Sequence, residues 1–382
     1  MGASREEHAR ARSFGDDDDV SVGKGPAAAV LETLLERRAL EAGEVEDAIG
    51  RILDGEWTAA QIAGFAIALR AKGETPTEIA AAARALRARA REVRAAVPSG
   101  APVLDTCGTG GDGAQIFNVS TCAAIVVAAA GVTVAKHGNR AISSRAGSAD
   151  LIEALGVPIE AEPGDDEGFD ARVRRSIEEA NIGFLYAPRH HAALRHAASV
   201  RRELGVRTVF NLLGPLANPG GATHQLLGVY DDARREVLAR VLHLLGVRGA
   251  WVVHARLGDG RGIDEVSPAG VTHVSVLTED GAVTEREIDP SDAGLPRVPL
   301  EAMAGGDATE NARLCMLALA NDPAAAPHRT AIVLNAACGL VIAGAARDLR
   351  DGRAKAEDAL ESGAARRTLE RWRSIMRQER GR

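Results

Sequence analysis

Residues Val103 to Arg140 read VLDTCGTGGDGAQIFNVSTCAAIVVAAAGVTVAKHGNR. Short β-branched runs at Val103–Leu104 and Val132–Ala135 bracket an apolar, Ala-rich segment, Asn118–Ala130, and this order predicts strand, glycine loop, helix, strand. Gly108, Gly110 and Gly113 formally satisfy GxGxxG, but a dinucleotide fingerprint starts its helix at the third glycine and ends the next strand on an acid. Here Ala114 to Phe117 intervene and the next strand ends in Lys136 and His137. Ala114 after Gly113 also excludes a GxxxxGK phosphate loop. What remains is general physics: glycines expose backbone N–H groups, and a helix N-terminus adds partial positive charge, so this turn suits an anion. An ordinary tight turn before a capped helix is the competing reading.

Two further segments join the first. KHGNRAISS (Lys136–Ser144) also follows a strand, and RAGSADLIEALG (Arg145–Gly156) starts a helix near Ser148 and Asp150. Both loops then emerge at one edge of a parallel sheet, where open α/β folds bind ligands. One loop is rich in glycine and the other in cations, amides and hydroxyls, a pairing that suits a ligand with more than one phosphate. Asp264 and Glu265 stand in GDGRGIDEVSP after the run Ala250–His254. As a pair in a glycine-broken loop they are either a solvated surface feature or hard oxygen donors of the kind Mg²⁺ takes.

Working outward, β-branched runs at Leu226–Tyr230, Ala250–His254 and Val271–Val276 alternate with longer Ala-rich stretches, predicting an α/β fold with a mostly parallel sheet flanked by helices. Before it, apolar positions at helical spacing with Gly43, Gly55 and Gly73 between them predict a small N-terminal all-helical domain of three or four helices. The expected boundaries are a disordered tail over 1–23, the helical domain over 24–96 with a return segment near 187–207, the α/β domain over 97–186 and 208–363, and a polar C-terminal helix or tail over 364–382. With 382 residues, 46% hydrophobic and only 3% aromatic, the core is built from small aliphatic side chains. No apolar run reaches the length of a membrane span, Cys122–Val134 being too short, and four scattered cysteines fit reduced thiols. A cytoplasmic location is therefore expected. The net charge of −7 argues against a duplex-DNA binder.

DTCGTGGDG, FNVST, KHGNRAISS with GSADLIEALG, RRELGVRTVFNLLGPLANP (Arg201–Pro219) and the Asp264–Glu265 pair, in this order, closely resemble the anthranilate phosphoribosyltransferases of tryptophan biosynthesis, within the nucleoside phosphorylase and phosphoribosyltransferase class that carries a helical small domain. GEWTAAQIAGFAIALRAKGET (Gly55–Thr75) resembles that small domain, and the resemblance runs from about Gly23 to about Gly363. It implies a Mg²⁺-dependent pentosyl transfer from phosphoribosyl pyrophosphate (PRPP) to the amino group of anthranilate, in a cytoplasmic homodimer without membrane or nucleic-acid partners. It implies that PRPP meets Gly108, Gly111, Asp112, Asn118, Val119, Ser120, Thr121, Lys136, His137, Gly138, Asn139, Arg140, Ala141, Ile142, Ser143, Ser144 and Ser148. Anthranilate would meet Gly108, Asn139 and Arg201, with His137, Pro188 and His191 lining its approach, and Mg²⁺ would take Ser120, Asp264 and Glu265. Arg is the residue suited to bidentate carboxylate binding.

The chain departs from the family pattern at Ile116, where a hydroxyl residue is frequent, and at His190 and Ala192, in the segment expected to line the acceptor entrance. A pyrimidine-nucleoside phosphorylase of the same fold and a non-enzymatic nucleic-acid-binding relative are the alternatives. The run Arg84, Arg87, Arg89, Arg91 and Arg94 reads as a solvated helix face, or as a nucleic-acid patch in the second alternative.

Overall fold

Two threonine caps shape the helical segment. Thr58 accepts from the Gln61 N–H at 3.3 Å while Gln61 accepts from the Thr58 N–H at 2.9 Å, and Thr75 and Glu78 repeat the exchange at 3.2 and 2.9 Å. Each pair satisfies two N–H groups that a helix start leaves open. The computed structural model describes residues 25–110, 115–141, 145–257 and 262–378. Its first four helices are Pro26–Leu35, Ala42–Leu53, Ala59–Lys72 and Pro76–Arg87. The expected tail over 1–23 lies outside the described residues.

The sheet comprises β1 (Val103–Gly108), β2 (Thr133–Gly138), β3 (Ile182–Tyr186), β4 (His224–Gly228), β5 (Gly249–Arg256), β6 (Gly262–Ile263), β7 (Thr272–Leu277) and β8 (Val283–Ile288). Its order is β3-β2-β1-β4-β5-β7-β8, with β6 paired to β5. Strands β3 to β5 along that path are parallel, and β6, β7 and β8 are antiparallel. Chain order reverses between β1 and β4, so the crevice at their carboxyl ends is the place for a ligand.

One face of the sheet buries Val119–Ala129, Ala326–Ile342 and Ala364–Arg377 in a core dominated by Ala, Val, Leu and Ile. Small residues set the spacing: a Cβ at Gly352 would lie 2.8 Å from the Ala337 carbonyl of the facing helix. The stretch Pro323–Ile342 has the length and composition to cross a bilayer, which corrects the expectation that no run does; most of it is buried in this core. Ala364–Arg377, expected to be a polar end, buries Leu369, Trp372, Ile375 and Met376 on one side. On the other face, Val209–Leu216 and Arg235–Leu244 share one apolar cluster with the four N-terminal helices and with Leu227 and Val252 of the sheet. Helix Arg195–Leu204 packs back onto Ala42–Leu53 and Ala59–Lys72.

Candidate active site

The carboxyl ends of four parallel strands are in register at one edge, Gly108 opposite Gly228 and Gly138 opposite Tyr186. The loop after β5 crosses this edge closely. A Cβ at Gly108 would stand 2.6 Å from Asp264 Oδ2, and a Cβ at Gly228 would overlap the Asp264 backbone. Asp264 accepts from the Gly110 N–H at 2.6 Å, and Glu265 accepts from the Ser120 N–H at 3.3 Å. Gly110 has φ of +69°, a conformation that glycine supplies without strain. The pair foreseen as either solvated or metal-binding is thus drawn against the glycine turn and the first turn of helix Val119–Ala129. Its hard oxygens, beside the Ser120 hydroxyl, fit Mg²⁺.

Lys136 has its ammonium underneath this turn. It is 1% exposed and donates to the Thr106 carbonyl, with Ser120 Oγ at 3.4 Å. Asp105, fully buried, accepts from the His137 N–H at 3.1 Å and from Asn218 at 2.8 Å. Burial pushes its carboxyl up, against the pull of Lys136 and those two donors. Arg140 turns to Glu153, Glu160 at 3.1 Å, Asp150 at 3.2 Å and the Tyr186 hydroxyl at 3.2 Å. Burial holds the Lys136 ammonium below the strand ends, and carboxylates hold the Arg140 guanidinium to the side.

The KHGN turn is knit by short side chains. Ser148 Oγ accepts from the Asn139 N–H and donates to its carbonyl, each at 3.2 Å. A Cβ at Gly138 would collide with that hydroxyl. Burial alone would push the Asp150 carboxyl up, yet the N–H groups of Ala141 and Gly147, with Arg140, hold it below the usual range. Thr121 and Val119 are buried, and the Thr121 hydroxyl makes no hydrogen bond among the described residues. Both ends of the Asn118 amide are engaged, the nitrogen by the Ala146 carbonyl at 3.0 Å and the oxygen by Asn311 at 2.9 Å. Gly111, Asp112, Ile142, Ser143 and Ser144 lie outside the described residues.

Where β3 ends, Ala187–His190 brings Pro188 and His191 beside β2. His137 and His191 pack edge to face with ring centres 5.1 Å apart, and both are buried; among the described residues Nε2 of His137 meets no hydrogen-bond partner. Burial first, then the neighbouring histidines, pushes His137 well down and His191 down to about 4, so both rings are neutral at pH 7. His190 adjoins the pair, with its Nδ1 meeting the Arg91 carbonyl at 2.6 Å and the Arg91 N–H donating to the His190 carbonyl at 2.9 Å. Arg201, half-buried on Arg195–Leu204, makes no hydrogen bond or ion pair among the described residues, and burial lowers its pKa.

Arg207 is a site residue that the motifs did not single out. Its guanidinium lies 3.6 Å from the Tyr230 ring centre and donates to the Gly110 carbonyl at 3.2 Å. Its place in RRELGVRT, six residues after Arg201, was the available signal. Among the described residues no cluster of three or more His, Cys, Asp or Glu side chains forms a metal site by itself.

A glycine turn, a helix start and two carboxylates at a switch point define an α/β transferase site for an anionic, metal-bound substrate, joined to a helical domain. The sequence matches the helical bundle domain of the glycosyl transferase family over residues 28–90 and that family's a/b domain over 100–366. It is 52% identical over 339 residues to the anthranilate phosphoribosyltransferase of Myxococcus xanthus, covering 89% of this chain and 96% of the relative. The anthranilate phosphoribosyltransferase of Thermus thermophilus superposes with a TM-score of 0.82 at 44% identity, over 91% of this chain and 99% of that one. The Saccharomyces cerevisiae enzyme, in complex with PRPP and Mg, does so at 0.81 and 29% identity, over 93% and 98%. The chain belongs to the anthranilate phosphoribosyltransferase family.

Proposed function

We propose that the chain transfers the 5-phosphoribosyl group of PRPP to the amino nitrogen of anthranilate, releasing pyrophosphate, as a step of tryptophan biosynthesis. The observation that carries the reading is the convergence of Asp264 and Glu265 on the Gly110 and Ser120 N–H groups, at the glycine turn and helix start. Breaking the glycosidic C–O bond leaves positive charge on the ribose and negative charge on pyrophosphate, so stabilising the leaving group is the main demand. Mg²⁺, when bound, neutralises part of that charge. Asp264, Glu265 and the Ser120 hydroxyl would hold it. Loop N–H groups and the helix N-terminus bind the phosphates, while Lys136 beneath Ser120 supplies fixed positive charge.

The acceptor side follows from Arg201 and the histidine pair. A half-buried guanidinium without a counterion suits the anthranilate carboxylate. Neutral His137 and His191 form a wall that does not protonate the incoming amine. The arylamine attacks unprotonated, and the remaining acceleration comes from positioning. Residence in the cytoplasm and homodimer formation are further parts of this proposal, supported by family membership.

Asp264→Asn with Glu265→Gln is the direct test. Turnover at fixed PRPP is expected to need at least tenfold more Mg²⁺ than wild type. An unchanged Mg²⁺ dependence contradicts the assignment. Phosphorolysis of thymidine or uridine by the wild-type chain would favour the phosphorylase alternative instead.

A further inference from the structure

A hydrogen-bond relay runs underneath the proposed PRPP site through a residue that the motifs did not mark. Asn311 lies in the first turn of helix Ala308–Leu319 and is 2% exposed. Its Oδ1 accepts from the Gly306 N–H at 2.7 Å, which fixes the amide's orientation and aims Nδ2 at Asn118 Oδ1, 2.9 Å away. With its oxygen so engaged, Asn118 directs its own nitrogen to the Ala146 carbonyl at 3.0 Å. The segment 303–306 closes on the same place: Phe117 N–H donates to the Met303 carbonyl at 3.2 Å, and a Cβ at Gly305 would lie 2.8 Å from Phe117 Cα.

We propose that Asn311 is a positioning residue for the PRPP site, setting the start of the glycine-loop helix and the approach to Ser148 in one fixed relation. The proposal rests on the reading of these loops as the PRPP site. Asn118 immediately precedes the helix that carries Ser120 and Thr121, and Ala146 lies two residues before Ser148, whose hydroxyl holds both backbone groups of Asn139. A terminal amide is oriented only by its partners. Without the donor from Asn311, the Asn118 amide is free to turn over, and its bond to Ala146 is lost with it. Asn311 thus acts on both phosphate loops without touching the substrate, the part that a supporting shell plays for a preorganised site.

Asn311→Asp keeps the acceptor for Gly306 and removes the donor to Asn118. The expected result is a loss of about tenfold or more in PRPP affinity, measured by calorimetry with Mg²⁺ present, the size expected when a buried hydrogen bond is broken. The KM for anthranilate at saturating PRPP rises by a much smaller factor, because Arg201, His137 and His191 are untouched even though Asn139 belongs to the affected loop. Asn311→Ser is the fallback if the aspartate variant fails to fold; its short hydroxyl cannot bridge Gly306 and Asn118 together, and the same loss is expected. PRPP affinity within about twofold of wild type in a folded variant overturns the proposal, as does a parallel rise in the constants for both substrates. A wild-type chain that does not bind PRPP overturns the reading of the site itself, and the proposal with it.

Discussion

At Gly138 a single methyl group separates a working turn from a broken one. An added Cβ would collide with Ser148 Oγ and stand 2.8 Å from the Phe184 ring. Gly138→Ala is expected to reduce turnover at least tenfold by displacing the KHGN loop, read as kcat/KM for PRPP. Arg201→Ala is expected to raise the anthranilate KM by tenfold or more and leave PRPP affinity nearly unchanged; equal losses for both substrates would contradict the assigned role. Which residue types gather at the site was legible in the motifs, because glycines, hydroxyls and carboxylates follow strand ends there. Where the cations point was not. Arg140 is held by Glu160 and Tyr186, twenty and forty-six residues away, and Lys136 by Thr106, and such partners come from the tertiary fold. Likewise the bond between His190 and the Arg91 carbonyl, ninety-nine residues apart, was not legible in the sequence.

Among the elements, the cap at Pro76–Arg87 carries the most consequence for stability. Glu78 is fully buried and accepts from the N–H groups of Leu40 and Thr75, each at 2.9 Å, and from Lys72 at 2.8 Å. Its pKa stays low despite burial because of these donors. Glu78→Ala strands the Lys72 ammonium and two N–H groups, and is expected to cost about 3–5 kcal/mol, measured as a lowered urea midpoint. The threonine caps were readable from GEWTAAQ and GETPTE, since the chemistry is local. Strand β3 was missed because IGFLY is uniformly buried and shows no alternation. The C-terminal helix was read as polar because its charged residues outnumber its buried ones, while its apolar side recurs at helical spacing through Leu369, Trp372 and Met376.

At the scale of the molecule, the arginine run that suggested a solvated face or a nucleic-acid patch is tied into the fold in part, while Arg89 and Arg94 keep an exposed surface. Arg87 is half-buried and donates to the Leu216 and Leu245 carbonyls at the ends of two helices, Arg89 pairs with Asp54, and Arg91 with Asp170. Burial pushes Arg87 down to about 10, still protonated at neutral pH. The histidines give the whole chain a pH dependence. His137, His190 and His191 are depressed by burial, while an unfolded histidine titrates near 6.5. As pH falls below about 6.5 the unfolded chain takes up protons that the folded one refuses, so stability drops by up to about 1.4 kcal/mol per pH unit for each histidine. The contribution of His191 runs down to about pH 4, where it protonates in the folded chain. Urea midpoints at pH 7.5 and 5.0 should show this fall, and His190→Phe should lessen it; equal midpoints would contradict a neutral buried cluster. One assay of the full chain, following anthranilate fluorescence and pyrophosphate together, tests the proposed transfer most directly. Loss of fluorescence with matching pyrophosphate release, requiring PRPP, anthranilate and Mg²⁺ at once, is the predicted result. No turnover when all three are present would contradict it.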